Sequence, residues 1–448
     1  MGLISKISRT SGITKNELRI IWPVFIEMLA GNIVSIVATV VITGIGGFAI
    51  SGIGLADSVN FILIGIFQSV STGITVITAQ YIGRGDTDSA RESGVQSITL
   101  AVLITIILSS VVLVFRNPIL NILFGEAQGD VLKAADSFLL FNLLSFPFLA
   151  YYSVITGILR AAGNSKIPMI GSLTTNIVYI GLSVLLINTT NLGITGVGIG
   201  LLSGRILSAL LMYVYMKINQ ILPKEFSLKL NMKTLRPVLK IAIPSGVDSL
   251  LFNCGIMIVS VFMSSMGTIA LTANAISNSI LGFICLSGNT ISVASSTIVG
   301  QNYGSGDTQK TKKSINNLTL IAMVLHGVFS LICALFLKPI ISIYSPTAET
   351  AVLVKNLAMI FLISAPLLWA PSFVTPQSLR ATGDVTFTMV VSLIGIFGIR
   401  VLGTWVLGIY LGMGMVGSWF SMCGNWLMRS FVFTLRAVSG KWNKDTSI

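Results

Sequence analysis

Apolar residues in this chain do not alternate with polar ones. They run in continuous stretches of about 20 residues or more. We read twelve, at approximately 18–44, 48–80, 92–115, 132–160, 165–188, 193–217, 237–265, 269–301, 314–337, 352–380, 384–407 and 411–437, separated by short charged or Gly/Asn-rich turns. A helix of such length crosses about 30 Å of hydrocarbon. Backbone groups in lipid need partners within their own element, which leaves helices or closed barrels. These stretches are too long and too uniformly apolar for barrel strands. The pattern therefore predicts an all-α integral membrane protein with twelve transmembrane helices.

The polar residues that interrupt the stretches recur at fixed spacing. Pro23, Glu27 and Asn32 in the first stretch return as Pro244, Asp248 and Asn253 in the seventh, each at an offset of 221 residues. Gln80 to Thr87, QYIGRGDT, returns at the same offset as Gln301 to Thr308, QNYGSGDT. Leu159 to Asn164 parallels Leu379 to Asp384 at 220, and Leu192-Gly193 with Val197-Gly198 parallels Leu411-Gly412 with Val416-Gly417 at 219. Each half then holds six helices. An even number of crossings gives both halves the same orientation, so they are parallel repeats about an axis along the membrane normal. The expected organisation is an N-lobe at 1–217, a cytoplasmic linker at 218–236 and a C-lobe at 237–448. Pro223 and Pro237 break the linker. Lys224 to Lys240 reads equally as a surface helix on anionic lipid or as plain solvated chain.

Composition agrees with this picture. Of the 448 residues 53% are hydrophobic and 10% charged, with a mean hydropathy of +0.90, which excludes an ordinary soluble fold. The net charge of +13 does not imply nucleic acid, because Lys and Arg follow the positive-inside rule. Lys6, Arg9, Lys15, Arg19, Arg84, Arg91, Arg160, Lys166 and the basic residues from Lys217 to Lys240 fall on one side, as do Lys310, Lys312, Lys313, Arg380, Arg436, Lys441 and Lys444. Arg116, Lys133, Lys338 and Lys355 fall on the other. Both termini are expected in the cytoplasm, with the chain multi-pass in the plasma membrane and monomeric. No cleavable signal peptide is read, and the first stretch is expected to remain as a helix. Cys254, Cys285, Cys333 and Cys423 lie in apolar stretches without metal or redox spacing and read as packing residues.

An acid inside a membrane span is costly and marks function by default. Glu27 and Asp248, four residues after equivalent prolines, are therefore the ion-coupling candidates. Asn32, Gln68, Asn176, Asn253 and Asn289 are the candidates for a polar substrate cavity, Gln68 mapping onto Asn289 at the common offset. Asp57 has no acidic mate, since Asn278 holds its repeat position, and Asp136 reads as interfacial. His326 reads as a packing residue. Arg205, Arg400 and Arg429 are deep cations that either snorkel or neutralise an acid.

The ordered set of motifs resembles the multidrug and toxic compound extrusion (MATE) transporters. It comprises the six-plus-six repeat, the turn at 300–307, the Leu-Arg-Ala turns at 159 and 379, and the closing Gly417-Ser418-Trp419 helix, and it covers nearly the whole chain. The resemblance implies an exporter exchanging protons or sodium ions for organic, often cationic, compounds by alternating access. One departure stands out. Where many relatives have Val-Asp-Thr in the first helix this chain has Val37-Ala38-Thr39, and a second acid often found in the fifth helix is Ser183. Glu27 lies 11 residues before Ala38, about three helical turns along the same face, and is the expected replacement.

The leading expectation is a cation-coupled exporter of amphipathic or cationic organic compounds, with H+ or Na+ as coupling ion, no cofactor, and the lipid bilayer and small organic substrates as partners. A flippase for lipid-linked oligosaccharides would need a basic cavity instead. A membrane enzyme or a channel is the reading of another class; the chain shows no phosphate-binding loop, histidine cluster or paired cysteines to support catalysis.

Overall fold

Helices account for nearly all of the chain, as the lack of backbone partners in lipid requires. The computed structural model describes residues 14–125, 127–190, 192–219 and 230–443. In chain order the long helices are α1 (Lys15–Thr43), α2 (Gly47–Arg84), α3 (Thr87–Phe124), α4 (Gly129–Ala161), α5 (Lys166–Thr189), α6 (Ile194–Ile218), α7 (Met232–Ser264), α8 (Thr268–Gly304), α9 (Thr308–Leu335), α10 (Ala348–Ala381), α11 (Val385–Tyr410) and α12 (Gly414–Ser439). A short helix, Leu337–Ile343, follows α9. Among the described residues, α1 to α11 each contain a run long and apolar enough to cross a membrane. The twelfth expected span, α12, has the length at 26 residues, but Asn425, Arg429 and Arg436 dilute its apolar character.

Pro23 and Pro244 lie inside α1 and α7. Each deprives the carbonyl four residues earlier, at Arg19 or Lys240, of its helical donor. Among the described residues, the compact units divide beside these prolines, at Ile21/Trp22 and at Gly246/Val247, so that the chain between these points forms one and the rest forms the other. We call them the first and second lobe. Of the expected linker, residues 220–229 lie outside the described residues, and the surface helix considered for Lys224 to Lys240 falls partly there. From Met232 onward that segment belongs to α7.

The repeat is visible in the turns. Gly46 and Gly267, Gly85 and Gly306, Gly163 and Gly383, and Gly193 and Gly412 all have positive φ. After the second of these pairs the chain re-enters a helix through Asp86 or Asp307, each of which caps the helix by accepting from the amide three residues on, Ser89 at 3.0 Å and Lys310 at 2.8 Å. The bonds from Ser89 hold the Asp86 carboxyl below the usual carboxylate range. A Cβ added at Gly306, φ 79°, would meet nothing within 4 Å. Gly306→Ala is therefore expected to cost only the left-handed backbone penalty, about 1–2 kcal/mol. A thermal melt of the purified variant that overlays the parent would remove this account of the turn.

Within the first lobe α4 is the central helix, packed on α2, α3 and α6, while α5 pairs with α6. Leu139, Leu143, Phe146, Val154 and Ile155 of α4 are fully or nearly fully buried, with Ile74 of α2 and Met212 and Met216 of α6. Gly196, Gly200 and Gly204 recur every fourth residue along α6. A methyl at Gly204 would sit 2.6 Å from the Thr175 carbonyl oxygen, and one at Gly200 would sit 2.7 Å from that of Tyr179. This stripe of small residues lets the backbones of α5 and α6 touch, the usual means of packing helices where lipid supplies no hydrophobic drive. In the second lobe α10 holds the equivalent place against α8, α9 and α12. Phe361 and Val374 of α10 and Trp419 and Phe433 of α12 form its core. Three π-helical stretches interrupt the α geometry there, at Ala365–Trp369 in α10 and at Ile394–Val401 and Thr404–Tyr410 in α11.

Candidate functional site

The two repeat-equivalent acids are both paired. Arg160, in the last turn of α4, places Nη2 2.5 Å from Oε2 of Glu27 on α1. Arg380, in the last turn of the second half of α10, pairs in the same way with Asp248 on α7. Side-chain exposure is 16% for Glu27 and 9% for Asp248, so the charge of each acid is matched mainly by its arginine rather than by water. The sequence named the acids correctly as a related pair, but did not see that the Leu-Arg-Ala turns supply their partners.

A cavity of about 460 Å³ opens within the first lobe, lined by α1, α2, α4, α5 and α6. From α1 come Gly31, Val34, Ser35, Ala38, Thr39 and Ile42, a single helical stripe. Glu27 continues this stripe one turn toward the helix start, where Arg160 takes it, and so does not line the cavity. The carboxylate in the lining is Asp57 of α2, opposite Asn142, Asn176, Tyr179 and Arg205. Asp57 accepts a hydrogen bond from Asn60 Nδ2 at 3.3 Å. Arg205 donates through Nη1 to Asn142 Oδ1 at 2.7 Å and Ser145 Oγ at 2.6 Å, and acts on Asp57 through space. Thus Ala38 lines the cavity without a charge, and the acid enters from the neighbouring helix.

The second lobe contains a cavity of about 280 Å³ lined by α7, α8, α11 and α12. Six of its lining positions are the first cavity's shifted by 221: Ser35, Ala38, Thr39, Ile42, Ile53 and Asp57 become Ile256, Val259, Ser260, Met263, Asn274 and Asn278. Arg400, Ser418, Trp419 and Met422 complete it, and the Trp419 indole donates to Asn274 Oδ1 at 3.0 Å. The site is therefore duplicated, with an acid and an arginine in the first lobe and an arginine in the second.

Of the cavity residues expected from sequence, Asn176 lines the first-lobe cavity. Asn32, Gln68, Asn253 and Asn289 are exposed on their helices and line neither of these two cavities. The amide of Asn32 instead donates to the Met28 carbonyl at 3.0 Å. Asp136 pairs with Arg116 at 2.6 Å. His326 is fully buried, with Nδ1 2.9 Å from the Ala322 carbonyl oxygen and its ring stacked on Trp369 at 4.8 Å, a packing residue. Cys285 and Cys333 are buried, Cys423 is half-buried and Cys254 is exposed, all four with free thiols. Among the described residues, no cluster of three His, Cys, Asp or Glu side chains suits a metal ion.

Two helical repeats, each enclosing a polar cavity at equivalent positions, are the architecture of a two-repeat membrane transporter. The chain belongs to the MatE family, which it matches over residues 23–185 and 244–406, one match per repeat. It is 26% identical over 431 residues to the uncharacterized transporter YisQ of Bacillus subtilis, covering 94% of this chain and 93% of that one. To the "Probable multidrug resistance protein NorM" of Thermotoga maritima it is 24% identical over 401 residues, covering 88% and 86%. The crystal structure of the Vibrio cholerae MATE transporter VcmN in the bent form superposes with a TM-score of 0.87 at 18% identity, covering 98% of this chain and 97% of that one. The all-helical repeat fold expected from the sequence is thereby shown.

Proposed function

We propose that the chain is a secondary active exporter that exchanges protons or sodium ions for amphipathic or cationic organic compounds by alternating access. The observation that carries this reading is the placement of Asp57 in the first-lobe cavity, bonded to a neutral amide while Glu27 and Asp248 are held by arginines. A proton or sodium ion on Asp57 changes the charge of the cavity by one. A cationic compound entering there competes with it, so the two occupancies are mutually unfavourable and exchange follows. Glu27 and Asp248 remain coupling acids in this reading only if a cation displaces Arg160 or Arg380, which makes them secondary to Asp57.

The multidrug names of relatives such as NorM support export of organic compounds. The distribution of Lys and Arg supports a plasma-membrane protein with both termini cytoplasmic.

The test is transport in proteoliposomes under a pH gradient or a sodium gradient imposed separately, with a fluorescent organic cation as cargo. One gradient is expected to drive the cargo against its own concentration difference. Flux that runs only downhill under both gradients would overturn exchange in favour of a channel. Movement of a lipid-linked oligosaccharide without cargo export would favour the flippase.

A further inference from the structure

Positive charge in the second lobe exceeds the acid available to match it. Arg429 interacts electrostatically with Asp248, which Arg380 already holds, and with the like charges of Arg380 and Arg400. Arg429 is 3% exposed and lies 4.5 Å above the Phe373 ring, with Phe252 and Phe433 each at 5.7 Å. An aromatic enclosure of this kind receives a cation through the negative faces of the rings. Arg400 has no such enclosure. Its Nε is sealed from water without a protein partner.

The location of Arg400 gives this excess a use. It is the charged residue in the lining of the 280 Å³ cavity, whose other polar groups are Asn274, Asn278, Ser260 and Ser418, all neutral. The first-lobe cavity carries Asp57 at the position of Asn278, and its arginine is tied down by Asn142 and Ser145. The second-lobe cavity thus combines an uncommitted guanidinium, the side-chain amides of Asn274 and Asn278 to donate hydrogen bonds, and apolar walls from Ile256, Val259 and Met263. A π-helical stretch, which often marks functional positions, carries Arg400.

We propose that the second-lobe cavity binds the anionic group of an amphipathic organic acid, a carboxylate or sulfonate, with Arg400 as its charge anchor. A planar guanidinium pairs with such a group through charge-assisted, two-pronged hydrogen bonds, and Met263 and Val259 cover the apolar body. The assignment rests on the exporter reading only for what happens after binding, and it extends the compounds handled from cations to organic anions.

Binding to the full-length protein in detergent, measured by titration calorimetry, tests the site without any gradient. The probes are naphthalene-2-sulfonate and the neutral naphthalene-2-sulfonamide, in gluconate buffer. The parent is expected to prefer the sulfonate by about tenfold or more. Arg400→Gln is expected to erase the preference and Arg400→Lys to keep part of it as a point charge, while Arg205→Gln in the other lobe retains it. Equal binding of the two probes by the parent, or an undiminished preference in Arg400→Gln, overturns the proposal. If Arg400→Gln does not fold, the partial loss in Arg400→Lys carries the test, and an unchanged preference there overturns it. Replacing gluconate by chloride separates the sources of the anion: sulfonate binding abolished at equimolar chloride assigns the site to an inorganic anion and overturns the organic one. Sulfonate preference without gradient-driven transport would remove the exporter reading and leave this site standing; the reverse pattern would do the opposite.

Discussion

Asp57→Asn is expected to cut gradient-driven export sharply while the protein folds and purifies as the parent does. The substitution removes the one charge that a proton or sodium ion neutralises in the first-lobe cavity, yet keeps a side chain of the same shape, able to accept from Asn60. The repeat itself supports tolerance of the amide, because Asn278 already occupies the equivalent place in the second lobe. Coupling free energies between sites are typically about 1–3 kcal/mol, so driven flux should fall roughly 5–150-fold. Gradient-free binding of the same cationic cargo should weaken as well, since cargo and ion compete for the same carboxylate. The measurement is uptake into proteoliposomes under the productive gradient, alongside Glu27→Gln and Asp248→Asn. Coupled transport that survives Asp57→Asn but is lost in either of the other two would return the coupling role to the repeat-equivalent pair.

Arg380→Ala is expected to be among the most damaging single substitutions in the second lobe. It leaves Asp248, only 6% exposed as a residue, without its guanidinium, and one Asp248 oxygen already lacks a hydrogen-bond partner. Breaking a buried ion pair from one side costs about 3–5 kcal/mol because an unmatched charge remains. Arg160→Ala acts on the more exposed Glu27 and should cost less. Replacing both members at once, Asp248→Leu with Arg380→Met, should recover most of the loss, since a buried pair exchanged for apolar groups is often neutral. Thermal melts of the purified proteins decide the matter: a single variant as stable as the parent, or a double variant worse than the single, would refute the ion-pair account.

The sequence made the fold legible because lipid allows so few backbone solutions, and because the turns that join the helices kept their glycines through the repeat. Gly85 and Gly306 are identical residues in the same left-handed geometry, and the eye finds them at a constant offset. The site was less legible. Glu27 and Asp248 attracted attention as intramembrane acids, yet their partners lie 133 and 132 residues away on helices whose approach no local pattern encodes. Asp57 does not stand out in the sequence, because Asn278 holds its repeat position. The mismatch between Asp57 and Asn278 is the legible trace of the difference in charge between the two equivalent cavities. The offset of 221, applied to the face of α1 that holds Ala38, would have outlined both cavities.

The separation of Glu27 from Arg160 also governs how the protein is made. At about 5–20 residues per second, a ribosome needs roughly 7–27 s to add the 133 residues between them. For that interval the first helix carries an acid whose partner has not been synthesised, and an uncompensated carboxylate in hydrocarbon opposes its own release into lipid. Retention of the nascent first helix at the insertion machinery until the fourth helix arrives is the expected result, read by site-specific crosslinking of stalled chains, and earlier release is expected in Glu27→Gln. The same delay is expected in the second lobe, between Asp248 and Arg380.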